Sequence, residues 1–342
     1  MKKSAKVLLI LFVLVFASAS AVMGTKVISE KQITISSNNQ ENPAIYGDIV
    51  VWQDNRNGNS DIYGYNLKTK EEFQITTKAS GQFNPAIYGD IVVWQDNRNG
   101  SLDIYGYYLD TKTEFPICTE DGTQENPAVY GNIVVWAGDG IEGYDIYGYD
   151  LSTKTKFLIT SGGGYSYPDI YGDIVVFIGD SGNGDVYSYN LKTASLTQIT
   201  SDSESQINPA IYGGIVVWSN GWSAIYGKNL NTGVDLTICN ESGPQGSPDI
   251  YGDIVVWEDC RNDNNDIYGY NLKTNTEFPV CTYGESQGAP AIYCNRVVWG
   301  DYRNNINYDI YLAELDFDCE NAKKKSLPMD FFMKLLGFGK KK

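Results

Sequence analysis

Residues 54–67, DNRNGNSDIYGYNL, group acidic and amide side chains around a glycine, the kind of oxygen-rich loop that can hold a calcium ion. Such a loop needs oxygen ligands at its first, third and fifth positions and glycine at the sixth. Counting from Asp54, those later positions hold Arg56, Gly58 and Asn59, so the ligand set fails. Two further carboxylates, Asp169 and Asp249, stand in YPDIYGDIVV and SPDIYGDIVV, where sister segments carry alanine. A carboxylate pair could bind a cation or act as acid and base, as in glycosidases. Lining a hydrated channel is the plainer use. The chain contains no histidine. That removes Ser-His-Asp and Cys-His nucleophiles, imidazole metal sites and the usual proton shuttle.

The cysteines are Cys118, Cys239, Cys260, Cys281, Cys294 and Cys319, and none forms a CxxC pair. A zinc site or a thioredoxin-like motif is therefore not expected, and no cofactor or metal is read from the chain. The 26 basic against 42 acidic residues, a formal net charge of −16, argue against a nucleic-acid partner.

The ends differ from the middle. Lys2, Lys3 and Lys6 precede an apolar run over residues 7–16 and then small residues, the layout of a secretory signal peptide over residues 1–21. An uncleaved anchor is the alternative, although the run is shorter than the ~20 residues needed to cross a bilayer. Residues 317–342 form a lysine-rich tail with a short apolar segment at 327–338, too short to span. Either contact with a membrane surface or weak packing on the body of the protein is expected of it.

Between the ends the chain repeats. NPAIYGDIVVWQDNRNGNSDIYGYNL begins at Asn42 and returns almost unchanged at Asn84. Further copies carry Pro127, Pro168, Pro209, Pro248 and Pro290, and the steps from Pro43 are 42, 42, 41, 41, 39 and 42 residues. Each unit reads as four short strands separated by turns: NPAIY, IVVWQD, DIYGYNL and EFQIT in the first, with Asn57-Gly58 at a hairpin tip. Four strands in about 40 residues are the signature of a propeller blade.

The reading is an all-β, seven-bladed β-propeller over residues 26–316. The last unit lacks a fourth strand, while KQITIS at residues 31–36 stands alone ahead of the first. Gln32 to Ile35 are therefore expected to pair with the strand containing Asp309 and Leu315, completing blade seven and closing the ring. The aromatics ending strand two, such as Trp52 and Trp94, and the tyrosines of DIY are read as packing residues.

Blocks such as IVVWQDNRNGNSDIYGYNLKTKEEFQIT resemble the WD40-like propeller repeats of the TolB type, found in secreted and cell-surface proteins of archaea and bacteria. The resemblance covers residues 30–316. It implies a propeller with protein-interaction or surface roles and carries no catalytic residues, because the motif is a scaffold signature. Neither TolB's separate amino-terminal domain nor a trailing peptidase domain is read in these residues, so transport or protease activity is not expected from the resemblance.

Departures from the repeat point to a site. The top face, where strands two and three join and strand four returns to the next strand one, loses its loop pattern in blades three to five. Trp222 takes a hairpin tip, and Tyr165 and Tyr167 precede Pro168. These three are candidate ligand-stacking residues, with Asp169 and Asp249 as channel candidates. Trp222 folded over its neighbour is the competing reading. Cys294 replaces the first-turn glycine of blade seven and is expected to pair with Cys319 on the bottom face. The expected role is a secreted or cell-surface, non-enzymatic scaffold for a protein or glycan. A carboxylate-based carbohydrate-active enzyme and a structural envelope protein are the alternatives.

Overall fold

The computed structural model describes residues 24–179 and 182–319. Residues 1–23, where a signal segment is expected, and residues 320–342 of the tail lie outside the described residues, as does any membrane contact of that tail. Seven four-stranded antiparallel sheets stand around a central channel. Blade one is Gln40–Tyr46, Ile49–Asp54, Asp61–Asn66 and Glu71–Gln74, counted from the channel outward, and blades two to six repeat this order.

Strand two is apolar on both faces because each blade is sandwiched between its neighbours. Val50, Val51 and Trp52 are fully buried, and so are their counterparts Val92, Val93 and Trp94. Trp136, Phe177, Trp257 and Trp299 are likewise fully buried, in the clusters that join one blade to the next. Truncating such a ring costs about 3–5 kcal/mol. The glycine of DIYGY has its own cause: a Cβ at Gly64 would lie 2.6 Å from the Phe73 ring of strand four, which packs flat against the bare backbone. Strand four is the exposed outer edge, and in blade one it carries the polar residues Glu71, Glu72 and Gln74.

Blade seven consists of Gln287–Tyr293, Arg296–Asp301, Asp309–Leu315 and, on its outer edge, the amino-terminal strand Val27–Gln32. The ring is closed by that strand. Its bounds are shifted from the sequence expectation. Val27 faces Leu315 and Gln32 faces Tyr311, because the long third strand needs a partner along its whole length. Beyond Gln32 the Ile33 and Thr34 amides both donate to the Ile310 carbonyl, and Ile35 is 88% exposed rather than paired. The Thr34 hydroxyl accepts from the Ile310 amide at 2.8 Å, as Thr76 does from Ile62 in blade one. The repeat frame thus holds across the seam.

Cys294 and Cys319 are joined by a disulfide, with Cα atoms 5.1 Å apart. Cys294 has φ of 62°, the left-handed conformation that Gly47 and its counterparts adopt at this bottom turn.

Removing residues 26–36 would expose the strand Asp309–Leu315 as a sheet edge. The truncated protein is expected to aggregate and to melt at lower temperature. Equal solubility and equal melting temperature, read by light scattering and calorimetry, would count against closure by this strand.

Candidate functional site

Strand one of each blade alternates between the blade and the channel. Pro43 and Ile45 are buried in the blade, whereas Asn42, Ala44 and Tyr46 occupy the opposite positions. The channel therefore has three layers. At its top, a bulge puts the residue before each proline in the left-handed region, from Ser247 at φ 47° to Asn126 at 53°. Asparagine tolerates this conformation better than larger residues do. The mouth is a cavity of about 350 Å³ lined by these residues and their prolines.

At the bottom, Tyr46, Tyr88, Tyr130, Tyr171, Tyr212, Tyr251 and Tyr293 form a continuous ring, with neighbouring centroids 4.4–4.9 Å apart. Burial and adjacent phenols push Tyr46, Tyr130 and Tyr251 above the ordinary tyrosine range.

Asp169 and Asp249 stand in the middle layer, where five blades have alanine. Each binds its own next amide through Oδ1, and through Oδ2 accepts the amide of the following blade: Ile211 at 2.8 Å for Asp169, Ile292 at 2.7 Å for Asp249. They latch blade four to five and blade six to seven. Burial raises Asp169 to about 6 against the pull of its two amides. Burial, with the charge of Asp169 added, raises Asp249 to about 7.

The loop that resembled an ion site is a tie within the blade. Asp54 accepts from the Arg56 amide and Nε at 2.9 Å and from the Trp52 indole at 2.9 Å. The Arg56 guanidinium lies 4.3 Å over the Tyr63 ring and reaches Glu72 on strand four. Asn57 donates to Asp61 and to the Tyr63 hydroxyl. Blades two, six and seven repeat the guanidinium over the tyrosine through Arg98, Arg261 and Arg303.

The three aromatic candidates separate. Tyr165 packs inward, edge-on to Phe177 with centroids 5.5 Å apart, in the position where the other blades have a buried glutamine. The Trp52 indole of blade one donates to Asp54; Phe177 has no such N–H, and Gly179 stands in the aspartate's place. Tyr167 is 46% exposed at the channel mouth and holds φ of 51°, a costly backbone for a bulky side chain.

Trp222 is 50% exposed at a hairpin tip with φ of 58°. Its ring lies on blade six: Cζ3 is 2.3 Å from where a Cβ of Gly246 would stand. It does fold over its neighbour, and it still leaves half its surface free. Gly246 is opposite Glu258 in the ladder, so the indole and that carboxylate share one surface.

A further candidate site lies over blades six, seven and one, next to the one expected over blades three to five. Beside Glu258 lies a second cavity of about 280 Å³, lined by Glu41, Asn42, Asn265, Gln287, Gly288, Ala289, Gly300 and Tyr308. Glu258 accepts from the Ala289 amide at 2.6 Å, and burial raises its pKa. Tyr308 is raised by burial and by the charges of Glu41 and Glu258. Sequence reasoning passed over these residues. The available signal was the repeat itself: glycine at both 288 and 300, where blade one has Glu41 and Gln53.

No protein-family model matches the chain, and no curated protein matches it. Solved structures do. The oligogalacturonate lyase of Vibrio parahaemolyticus is similar at 14% identity over 85% of this chain and 96% of that one, with a TM-score of 0.66. The β-propeller domain of the Trilobed protease from Pyrococcus furiosus has 12% identity, 84% and 98% coverage and a TM-score of 0.66. It is described as having an open velcro topology, whereas this ring is closed. TolB from Acinetobacter baumannii has 15% identity, 68% and 62% coverage and a TM-score of 0.53. At these identities the shared property is the TolB-like propeller fold.

Both channel aspartates have folded-state pKa values above their unfolded value, so the fold binds their protons more tightly than the unfolded chain does. Their contribution to stability is full below about pH 4 and is lost as pH rises toward about 7. The Asp169→Ala/Asp249→Ala protein, with the side chain five blades already carry, should gain in melting temperature relative to the parent between pH 4 and 8. Parallel melting curves across that range would contradict the assignment.

Proposed function

We propose that the protein is a secreted or cell-surface β-propeller that binds a protein or glycan through its top face, as a scaffold without catalysis of its own. One observation carries this reading. Among the described residues, the large apolar side chains exposed away from the outer strands are Ile35, Ile141, Tyr167, Trp222, Tyr283 and Ile306, all on loops or strand starts of the top face. The others, Ile28, Leu158, Leu196 and Val234, lie on the outermost strands. Apolar side chains gathered on one loop-bearing face mark an interaction surface.

The compartment follows from three supports: the leader-like residues 1–21, the Cys294–Cys319 disulfide, which suits an oxidising environment, and the surface proteins that the repeat resembles. The enzymatic alternative draws on the oligogalacturonate lyase, whose fold is similar. Against it, the oxygens of Asp169 and Asp249 already accept backbone amides, leaving them poorly placed for proton transfer to a substrate.

The test is a glycan array together with pull-down from cell-surface proteins, using residues 24–319 and its Trp222→Ala variant. A Trp222-dependent ligand should bind roughly 30-fold or more weakly to the variant, the scale of an interface hot spot near 2 kcal/mol, at nearly unchanged melting temperature. A large loss of stability with binding intact would assign Trp222 to packing on Gly246 alone.

A further inference from the structure

We propose that the cavity between blades six, seven and one receives a cationic side chain, a lysine ammonium or an arginine guanidinium, from a partner protein docked on the top face. The inference deepens the reading of that face as a binding surface and rests on it.

The cavity's polar lining is rich in acceptors. Glu41 and Glu258 bring carboxylates, and the ion pairs of the described residues involve neither. Gln287 is fully buried, and its Nε2 donates to the Tyr283 and Glu285 carbonyls. Its Oε1 has no partner among the described residues. The same acceptor is left open at Gln40, Gln82 and Gln245. What distinguishes blade seven is the facing pair Gly288 and Gly300, where blade two carries Phe83 and Gln95. Without those side chains, space remains beside Glu258, whose Oε1 would lie 3.3 Å from a Cβ at Gly288.

An unpaired buried acceptor is costly and calls for a donor. Lysine and arginine carry donors only, so either matches this lining. A metal fits less well, because no group of three or more Asp, Glu, Cys or His among the described residues is placed to hold one. Size favours one side chain. At about 280 Å³ the cavity falls just below the roughly 300–1,000 Å³ of ordinary small-molecule pockets. Its surroundings are those of an interface anchor: Trp222 lies on the adjoining surface of blade six, while Tyr283 and Ile306 are exposed on the neighbouring top loops. Such a rim excludes water from a buried contact, and the indole can also stack on a guanidinium. The net charge of −16 would draw a basic partner toward the face.

The test is calorimetric titration of the folded protein with acetyl-Gly-Arg-Gly-amide and acetyl-Gly-Lys-Gly-amide. The citrulline peptide serves as a neutral isostere and glucosamine as a cationic sugar. Two variants keep the blade geometry. Glu258→Gln places there the residue blades one and two use, where Gln53 still accepts the Asn84 amide. Gly300→Gln fills the cavity, and its Cβ would meet the Tyr308 ring at an ordinary 3.6 Å.

Saturable binding of the arginine or lysine peptide, at least tenfold weaker in both variants and absent for citrulline, is the expected result. No saturable binding, equal binding of citrulline, or affinity unchanged in Glu258→Gln would overturn it. Binding of glucosamine alone, with the same dependence on Glu258, would assign the cavity to an amino sugar and overturn the protein-partner claim. If the peptides fail while Trp222→Ala still abolishes partner capture, the cavity assignment falls and the top-face reading stands.

Discussion

Every blade of this protein depends on having two neighbours. A single four-stranded sheet with Val50, Val51 and Trp52 on its second strand would expose apolar side chains on both faces, and only packing between blades removes them from water. A closed ring meets that condition for all seven sheets, and the seam at blade seven completes the ring. There the outer strand comes from the opposite end of the chain, and the Thr34 hydroxyl accepts the Ile310 amide as its counterpart does within a continuous blade. The closing contact copies the repeat rather than improvising on it.

The blade number, the strand order and the identity of the closing segment were legible in the spacing of prolines and in the orphan QIT, because those features are one-dimensional. The exact bounds of the closing strand were not. They depend on how far the third strand of blade seven extends, which only the paired geometry determines. The channel aspartates were visible as exceptions, but their role was hidden: a carboxylate that accepts an amide across a blade boundary looks, in sequence, like one free to do chemistry.

The site was partly legible for a similar reason. Tyr165, Tyr167 and Trp222 all stand out by type, yet one fills core volume vacated by a smaller ring, one sits at the channel rim, and one lies across to the next blade. A departure in residue type reports a change without saying whether it fills space or opens it. The glycines at 246, 288 and 300 carry the opening, and a glycine in a sequence already rich in glycine attracts little notice. In the structure Gly246 lies under the Trp222 indole, while Gly288 and Gly300 line the cavity beside Glu258.

The Cys294–Cys319 bond has a mechanical consequence. It connects the bottom turn of blade seven to the chain just beyond the strand Asp309–Leu315, across a separation of 25 residues. A force pulling on the carboxyl-terminal side passes through the bond into the turn, so the two strands between them carry none of the load. The amino-terminal strand has no such bypass and is held by its hydrogen bonds, its packing and the Glu30–Arg303 ion pair. The ring is therefore polarised in its resistance to tension: tethered by its tail it stays shut, while traction on its leading end peels the seam one pair at a time.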